Sequence, residues 1–211
     1  MKRKFLALTL IFVVIFSVSS AALAAKKKDD EIKRMGIFIS NFTELGMYEF
    51  DLEDDGSDEI LHLGDPYNMG ELIRFGVGHN IINNKKLIQK CKRDDCDFGS
   101  STISKELVAA SVQKYFDLPV KHQKVLGDAP EIDFDGKLYH FDKRNWNDDT
   151  IYYADVQEVT RGKNFITMEG ELYELDNPKH RPATFVAKAK PYKWNNKNTW
   201  AILSLSVEWT E

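Results

Sequence analysis

The sequence predicts an α+β fold in which N-terminal helices pack on a curved C-terminal antiparallel sheet. Two observations support this prediction. Apolar residues in the first half recur at the helical period of 3.6, whereas after Pro130 apolar and polar residues alternate with a period of two. The links between the later segments are also short, which favours a meander of about four long strands plus a short hairpin.

The chain begins with a pattern typical of a secretory signal peptide. Lys2, Arg3 and Lys4 precede an apolar run that is too short to span a bilayer, and small residues follow it up to Ala24. An uncleaved membrane anchor is the alternative interpretation, and the small-residue exit disfavours it. We therefore predict an exported, periplasmic or extracellular protein without a membrane span after cleavage.

Cleavage after Ala24 divides the chain into a signal peptide at 1–24, a charged leader at 25–30 and one α+β domain at 31–211. The full chain carries a formal net charge of −4, which becomes −7 when the three basic residues of the signal peptide are removed. Such an acidic protein is repelled by nucleic acid, so we expect no nucleic-acid partner.

Three helices are predicted in the first half. The first runs from Asp30 to Leu45 and ends at Gly46, which suits a helix C-terminus. The second runs from Met69 to about Asn83, with Asn68 and Glu71 in a capping-box arrangement. Its apolar face is predicted to contain Leu72, Phe75, Gly76, His79 and Ile82. The third follows Ser104 and ends near Asp117.

The second half is predicted to form strands. Asp135-Gly136 is a two-residue hairpin signal between short apolar segments. The four longer strands are predicted at residues 150–159, 165–175, 183–190 and 199–210. Gly170, in the middle of the second of these, suggests a bulge or bend that curves the sheet. Strict alternation places Trp200 on the face opposite Leu203 and Leu205.

This element order resembles the cone-shaped nuclear-transport-factor-like fold and, more loosely, the cystatin fold. Three strings are also similar to segments of exported bacterial proteins without an assigned activity: Ile39 to Glu44, Ile73 to Phe75 with His79-Asn80, and Ile82 to Asn84. The resemblance therefore implies a fold and a compartment, and it implies no activity.

Cys91 and Cys96 are the two cysteines of the chain and bracket a polar turn. In an oxidising compartment such a pair forms a disulfide, which is our prediction. Free thiols, a redox pair or a metal site are the alternatives. No further ligands have suitable spacing, so no metal and no cofactor are predicted. His140 lies between Tyr139 and Phe141 in a predicted strand, and its face depends on a register that the sequence leaves open.

An acidic segment from Asp51 to Glu59 begins like a calcium-binding loop. It departs from that pattern because Asp58 replaces an apolar residue and His62 replaces the closing Glu. A solvated acidic loop is the preferred interpretation.

The candidate ligand site lies between the second helix and the inner face of the sheet. His79 is placed on its wall because a side chain with a pKa near neutrality can bind a ligand or transfer a proton. Phe75, Met168 and Ala187 are expected around it. A core histidine in a filled interior is the competing interpretation.

These observations favour an exported, non-enzymatic domain that binds an unknown small molecule or protein. One alternative is a small-molecule isomerase, dehydratase or hydrolase that uses His79 with a nearby carboxylate. The other is a structural part of an envelope assembly, which requires an apolar outer sheet face containing Tyr153, Val186, Trp200 and Ile202.

Overall fold

The computed structural model describes residues 25–52, 68–93, 96, 99–127, 130–146 and 151–210. The predicted signal peptide and most of the acidic segment that resembles a calcium loop lie outside these residues. Within them the α+β class is confirmed, because helices precede strands and both sheets are antiparallel. No helix in the described ranges is long and apolar enough to cross a membrane.

Three helices form the first half of the described chain. Helix α1 occupies residues 25–43, so the predicted charged leader is its exposed first part and the helix ends before Leu45. Helix α2 spans Met69–Asn83, as predicted, although the Asn68 side chain makes no capping hydrogen bond. Helix α3 spans Lys105–Phe116, and the hydroxyl of Ser104 accepts a hydrogen bond from the backbone N–H of Leu107 at its N-terminus.

The strands form two antiparallel sheets. The large sheet has the order β1-β9-β8-β7-β6. Its strands are β1 (Glu49–Asp51), β6 (Tyr152–Arg161), β7 (Ile166–Glu174), β8 (Ala183–Trp194) and β9 (Lys197–Trp209). The small sheet has the order β2-β3-β5-β4. Its strands are β2 (Gln89–Lys90), β3 (Ser101–Ser104), β4 (Asp133–Phe134) and β5 (Leu138–Phe141).

The predicted meander is confirmed as strands β6 to β9, and the predicted hairpin as β4 and β5. The hairpin belongs to a separate small sheet, which the sequence pattern does not predict. Its turn is centred one residue later than predicted, because Asp135 and Leu138 pair by a backbone hydrogen bond and Gly136 has a φ of 96°. Strands β1, β2 and β3 were also not predicted.

Two apolar cores lie on either side of α2. The larger core joins α1, α3 and the large sheet, and Leu72 and Phe75 of α2 contribute to it. The smaller core lies under the small sheet and receives Ile73, Val77 and Ile81 from α2. The single apolar face predicted for α2 is therefore wrong, because a helix between two sheets buries residues on two faces.

Gly170 marks a bulge in the large sheet, as predicted. The register between β6 and β7 shifts between Val156 and Glu158, directly beside Gly170. A β-carbon at Gly170 would overlap the backbone carbonyl oxygen of Asp155, so the close approach of the two strands requires glycine there.

A second irregularity corrects the prediction for Trp200. Lys188 pairs with Ser204, whereas the next residue, Ala189, pairs with Ile202, so Leu203 is an extra residue in β9. An extra residue reverses the alternation of side chains. Trp200 and Ile202 therefore face the larger core, on the same side as Leu205.

Candidate functional site

Helix α1 lies across the outer edge of strand β6. The hydroxyl of Ser40 accepts a hydrogen bond from the backbone N–H of Ala154 at 3.0 Å, and the hydroxyl of Thr43 donates to the carbonyl of Tyr152 at 2.7 Å. A β-carbon at Gly36 would lie 2.7 Å from the carbonyl oxygen of Ala154, so glycine permits this approach. The polar side chains of α1 thereby satisfy a strand edge that would otherwise be free.

A surface cleft of about 370 Å³ opens beside this contact and is called the Glu44 cleft here. This volume lies within the range of small-molecule sites, roughly 300–1,000 Å³. Its walls come from α1 and the turn after it, the end of α2, and strands β6 and β7. The lining residues include Ser40, Asn41, Glu44, Asn83, Tyr153, Asp155 and Tyr173.

The Glu44 carboxyl is the chemically unusual group of the cleft. Burial raises its pKa, and hydrogen bonds with the side chains of Asn83 and Tyr153 oppose that shift. Burial and the adjacent Glu44 charge raise the pKa of Tyr153. A half-buried carboxyl with a displaced pKa in a cleft is a frequent feature of binding and catalytic sites.

Two tyrosine rings line the outer part of the cleft, and Arg181 packs against one of them. The rings of Tyr153 and Tyr173 are 5.9 Å apart, and the guanidinium of Arg181 lies 5.1 Å from the centre of the Tyr173 ring. Arg181 also donates to the Asp155 carboxylate at 2.9 Å. The cleft therefore combines a flat apolar wall with carboxylates at its floor and rim.

The structure places His79 behind the cleft, in the packed interior. Its side chain is 5% exposed, stacks on Phe75 at 5.7 Å and meets the edge of Tyr115 at 4.8 Å. The Asn83 amide donates to Nδ1 of His79 at 3.2 Å, so the neutral ring carries its proton on Nε2. Burial, with a smaller effect of Lys114, lowers the pKa of His79 to about 4.

The structure has an amide at Nδ1 of His79, where the enzymatic alternative requires a carboxylate. Asn83 occupies that position, and Glu44 lies on the other side of Asn83. The histidine is thus connected to the cleft through one amide. It remains neutral at physiological pH and supports the orientation of Asn83.

The other predicted ligand-site residues are also core residues. Phe75, Met168 and Ala187 are at most 1% exposed, and Met168 pairs with Ala187 across β7 and β8. A second cavity, of about 390 Å³, is lined by Phe75. Neither this cavity nor the Glu44 cleft is lined by His79, Met168 or Ala187. A ligand-binding role for His79, Phe75, Met168 and Ala187 stays a prediction.

The sequence patterns do not mark Glu44, Asn83 or Tyr153 as ligand-site residues. A signal for two of them was present, because the strings that resemble exported bacterial proteins contain Glu44 and Asn83 as well as Ser40 and Asn41. Polar residues at the end of two helices, in otherwise apolar segments, are the feature that those strings share. Tyr153 had no such signal.

The predicted cysteine pair is present in the structure. Cys91 and Cys96 lie at disulfide distance, with their Cα atoms 6.7 Å apart. This spacing is within the range that a disulfide allows. The pair is located beside the small sheet, next to the buried His140 of β5.

No family model matches the chain, and neither the curated proteins nor the solved structures provide a match. The resemblance to the nuclear-transport-factor-like and cystatin folds, and to exported bacterial proteins, therefore stays a prediction.

Proposed function

We propose that this chain is an exported binding domain and that the Glu44 cleft is its ligand site. One observation carries the proposal: a carboxyl with a raised pKa lies half-buried in a cleft and is held by Asn83 and Tyr153. Folding a protein around such a carboxyl is unfavourable, because burial disfavours the charged form. A bound partner that neutralises or hydrogen-bonds the carboxyl would offset that cost.

The chemistry of the walls favours a small ligand with a basic nitrogen and a flat apolar part. Asp29 and Glu44 supply negative charge, Asp155 is paired with Arg181, and Lys33 is the cation among the described lining residues. A protonated amine would lie near Glu44, and an apolar group would pack on Tyr153 and Tyr173. Cations are attracted to aromatic faces as well as to carboxylates.

Binding can be tested with two probes that differ mainly in charge. We expect tyramine to raise the thermal midpoint of the mature protein and 4-hydroxyphenylacetate to leave it unchanged. Glu44→Gln should weaken tyramine binding at least tenfold, because the amide lacks the charge. Glu208→Gln, at an exposed position of β9, is the matched control. Equal affinity of the wild type and Glu44→Gln would reject the cleft as the site.

An enzyme that uses Glu44 as acid or base is the second candidate. The same raised pKa favours it, because a carboxyl that gains and loses a proton closer to neutrality is a better proton-transfer group. Turnover of bound amines or esters that disappears in Glu44→Gln and persists in Glu208→Gln would identify it. The assembly alternative is less supported, because Trp200 and Ile202 face the core and the outer sheet face does not contain them.

Export is supported by the signal-peptide pattern of residues 1–24 and by the cysteine pair. Mass spectrometry of protein from the medium or the periplasm should find a chain that begins at Ala25. A chain that retains Met1 or begins after Asp30 would contradict the cleavage site.

A further inference from the structure

Cys91, Cys96 and His140 form a cluster on the small sheet, remote in sequence from the Glu44 cleft. One nitrogen or sulfur atom from each residue lies within 4.8 Å of the others. Nδ1 of His140 is 3.4 Å from Sγ of Cys91 and 3.8 Å from Sγ of Cys96. A histidine that is 3% exposed therefore directs one ring nitrogen at both sulfurs.

The other ring nitrogen of His140 has a fixed partner. Nε2 donates to a carboxylate oxygen of Asp135 at 2.9 Å. The second oxygen of Asp135 accepts the backbone N–H groups of Lys137 and Leu138 at 2.9 and 2.8 Å, so the hairpin turn holds the carboxylate in place. With the proton on Nε2, the lone pair of Nδ1 faces the sulfurs.

Within the part of the chain that the structure describes, Asp135 is the carboxylate that hydrogen-bonds His140. The register partners of His140 are Thr102 on β3 and Asp133 on β4. Asp133 is paired with Lys124 at 2.6 Å and with Arg93 at 3.7 Å. The backbone hydrogen bond from Leu138 is the largest cause that lowers the pKa of Asp135 to about 2, so this carboxylate is ionised at neutral pH.

The two sulfurs differ in access and in distance from the imidazole. Cys91 is 9% exposed, and its backbone N–H donates to the carbonyl of Ser100 at 2.8 Å. Cys96 is more exposed and farther from His140. An external thiol therefore reaches Cys96 first, whereas Cys91 lies where a negative charge is best stabilised.

We propose that Cys91 and Cys96 form a thiol–disulfide exchange centre, with His140 as its proton carrier and Asp135 as the residue that positions His140. The co-reactant is a pair of thiols on a partner protein or on a small dithiol. This proposal does not depend on the Glu44 cleft. An inert structural crosslink would need neither a base directed at its sulfurs nor a carboxylate behind that base.

The exchange proceeds in two balanced steps. The first thiol releases its proton to the solvent, from which Nδ1 of His140 takes one up, and its sulfur attacks Sγ of Cys96. The bond between Cys91 and Cys96 breaks, and the electron pair passes to Cys91, whose thiolate lies beside the imidazolium. The second thiol then attacks the partner sulfur of the mixed disulfide and releases Cys96, which takes up that thiol's proton. The two thiols are oxidised to a disulfide, and both cysteines are reduced.

The first test measures the thiol of Cys91 alone. In Cys96→Ala, the thiolate absorbance at 240 nm should titrate at least one pH unit below the ordinary cysteine pKa of about 8.5. This variant keeps His140 and Asp135. A titration at or above the ordinary value would overturn the proposal, because the imidazole would then not stabilise the thiolate.

The second test measures the reduction of the intact mature protein by dithiothreitol, followed by alkylation of the released thiols. We expect His140→Gln to slow reduction at least tenfold and Asp135→Asn to slow it about threefold. His122→Gln is the matched control, because His122 contacts Tyr139 of the same strand and lies outside the cluster. Equal rates in wild type and His140→Gln would identify an inert crosslink and overturn the proposal.

A third measurement separates exchange from metal binding. Two thiolates and an imidazole supported by a carboxylate are also a ligand set for zinc. We expect the reduced protein to reoxidise fully with glutathione disulfide in the presence of equimolar zinc. One equivalent of tightly held zinc that prevents reoxidation would make the cluster a metal site and overturn the proposal.

Discussion

The large and small sheets maintain their structure in different ways. Four of the five strands of the large sheet have nine to thirteen residues, and aromatic side chains from three helices cover its inner face. Strands of the small sheet have two to four residues, and local polar contacts hold its turns, among them the Asp135 carboxylate and the cysteine pair. Both sheets cover an apolar core, and the small sheet depends in addition on specific local bonds. Each sheet has one candidate site that reflects this difference.

Removing a central ring should have the largest effect on the large sheet. Phe42 is fully buried and its ring contacts those of Phe38, Phe50, Phe75, Tyr115 and Phe116. Phe42→Ala should lower the free energy of unfolding by about 3–5 kcal/mol. Urea unfolding of the wild type and the variant measures this difference in the free energy of unfolding. Phe141→Ala, in the core of the small sheet, is the matched comparison and should cost less. An equal or larger cost for Phe141 would contradict the contrast between the sheets.

Acid should destabilise the protein through His79. Burial lowers the pKa of His79 from 6.5 to about 4, so the unfolded chain binds the proton more tightly than the folded one. Stability is therefore lost as the pH falls from above 6.5 to about 4, by about 3 kcal/mol for this group. The positive charge of Lys114 on α3 also lowers the pKa of His79 and so adds to this loss of stability in acid. The raised pKa of Glu44 has the opposite effect, because protonation of this carboxyl stabilises the folded state as the pH falls.

Urea unfolding at intervals between pH 7 and pH 4 measures that loss. His79→Gln removes the titrating ring and should flatten this part of the profile, whatever its effect on stability at pH 7. The same slope in wild type and variant would show that His79 is not buried in the neutral form.

Loss of the cysteine pair should affect the small sheet alone. The double change Cys91→Ala and Cys96→Ala should lower the free energy of local opening of the small sheet by about 2 kcal/mol, on the loop-entropy model for so short a ring. Hydrogen exchange should accelerate at the N–H of Cys91, which pairs with Ser100, and stay unchanged in β7 and β8. Faster exchange throughout both sheets would contradict the independence of the small sheet.

The smallest expected effect on stability is at Glu44, and it is a gain. Burial raises the pKa of this carboxyl, so its charged form opposes folding as the pH rises above the unfolded value. Glu44→Gln should therefore increase the urea midpoint at pH 7 while it weakens tyramine binding. A variant that loses both stability and binding would indicate that Glu44 has a structural role.

Much of the fold follows from local patterns in the sequence. The bounds of α2, the start of α3 after Ser104 and the four strands of the meander were predicted, because periodicity and helix-start signals depend on neighbours in the chain. Gly170 also indicated its bulge correctly. The prediction failed where an element depends on a distant partner. Strand β2, for example, has two residues and is ordered by its pairing with β3.

The sequence by itself determined the fold class and the long elements, and it predicted that the two cysteines lie close together. Only the tertiary structure decided which side chains meet. The extra residue Leu203 turned Trp200 inward, and the register of β5 directed His140 at the cysteine pair. The same packing placed Glu44 in a cleft and His79 behind it. The physical reason is that periodicity reports which residues avoid water, whereas contacts between distant residues depend on register, bulges and the position of each helix.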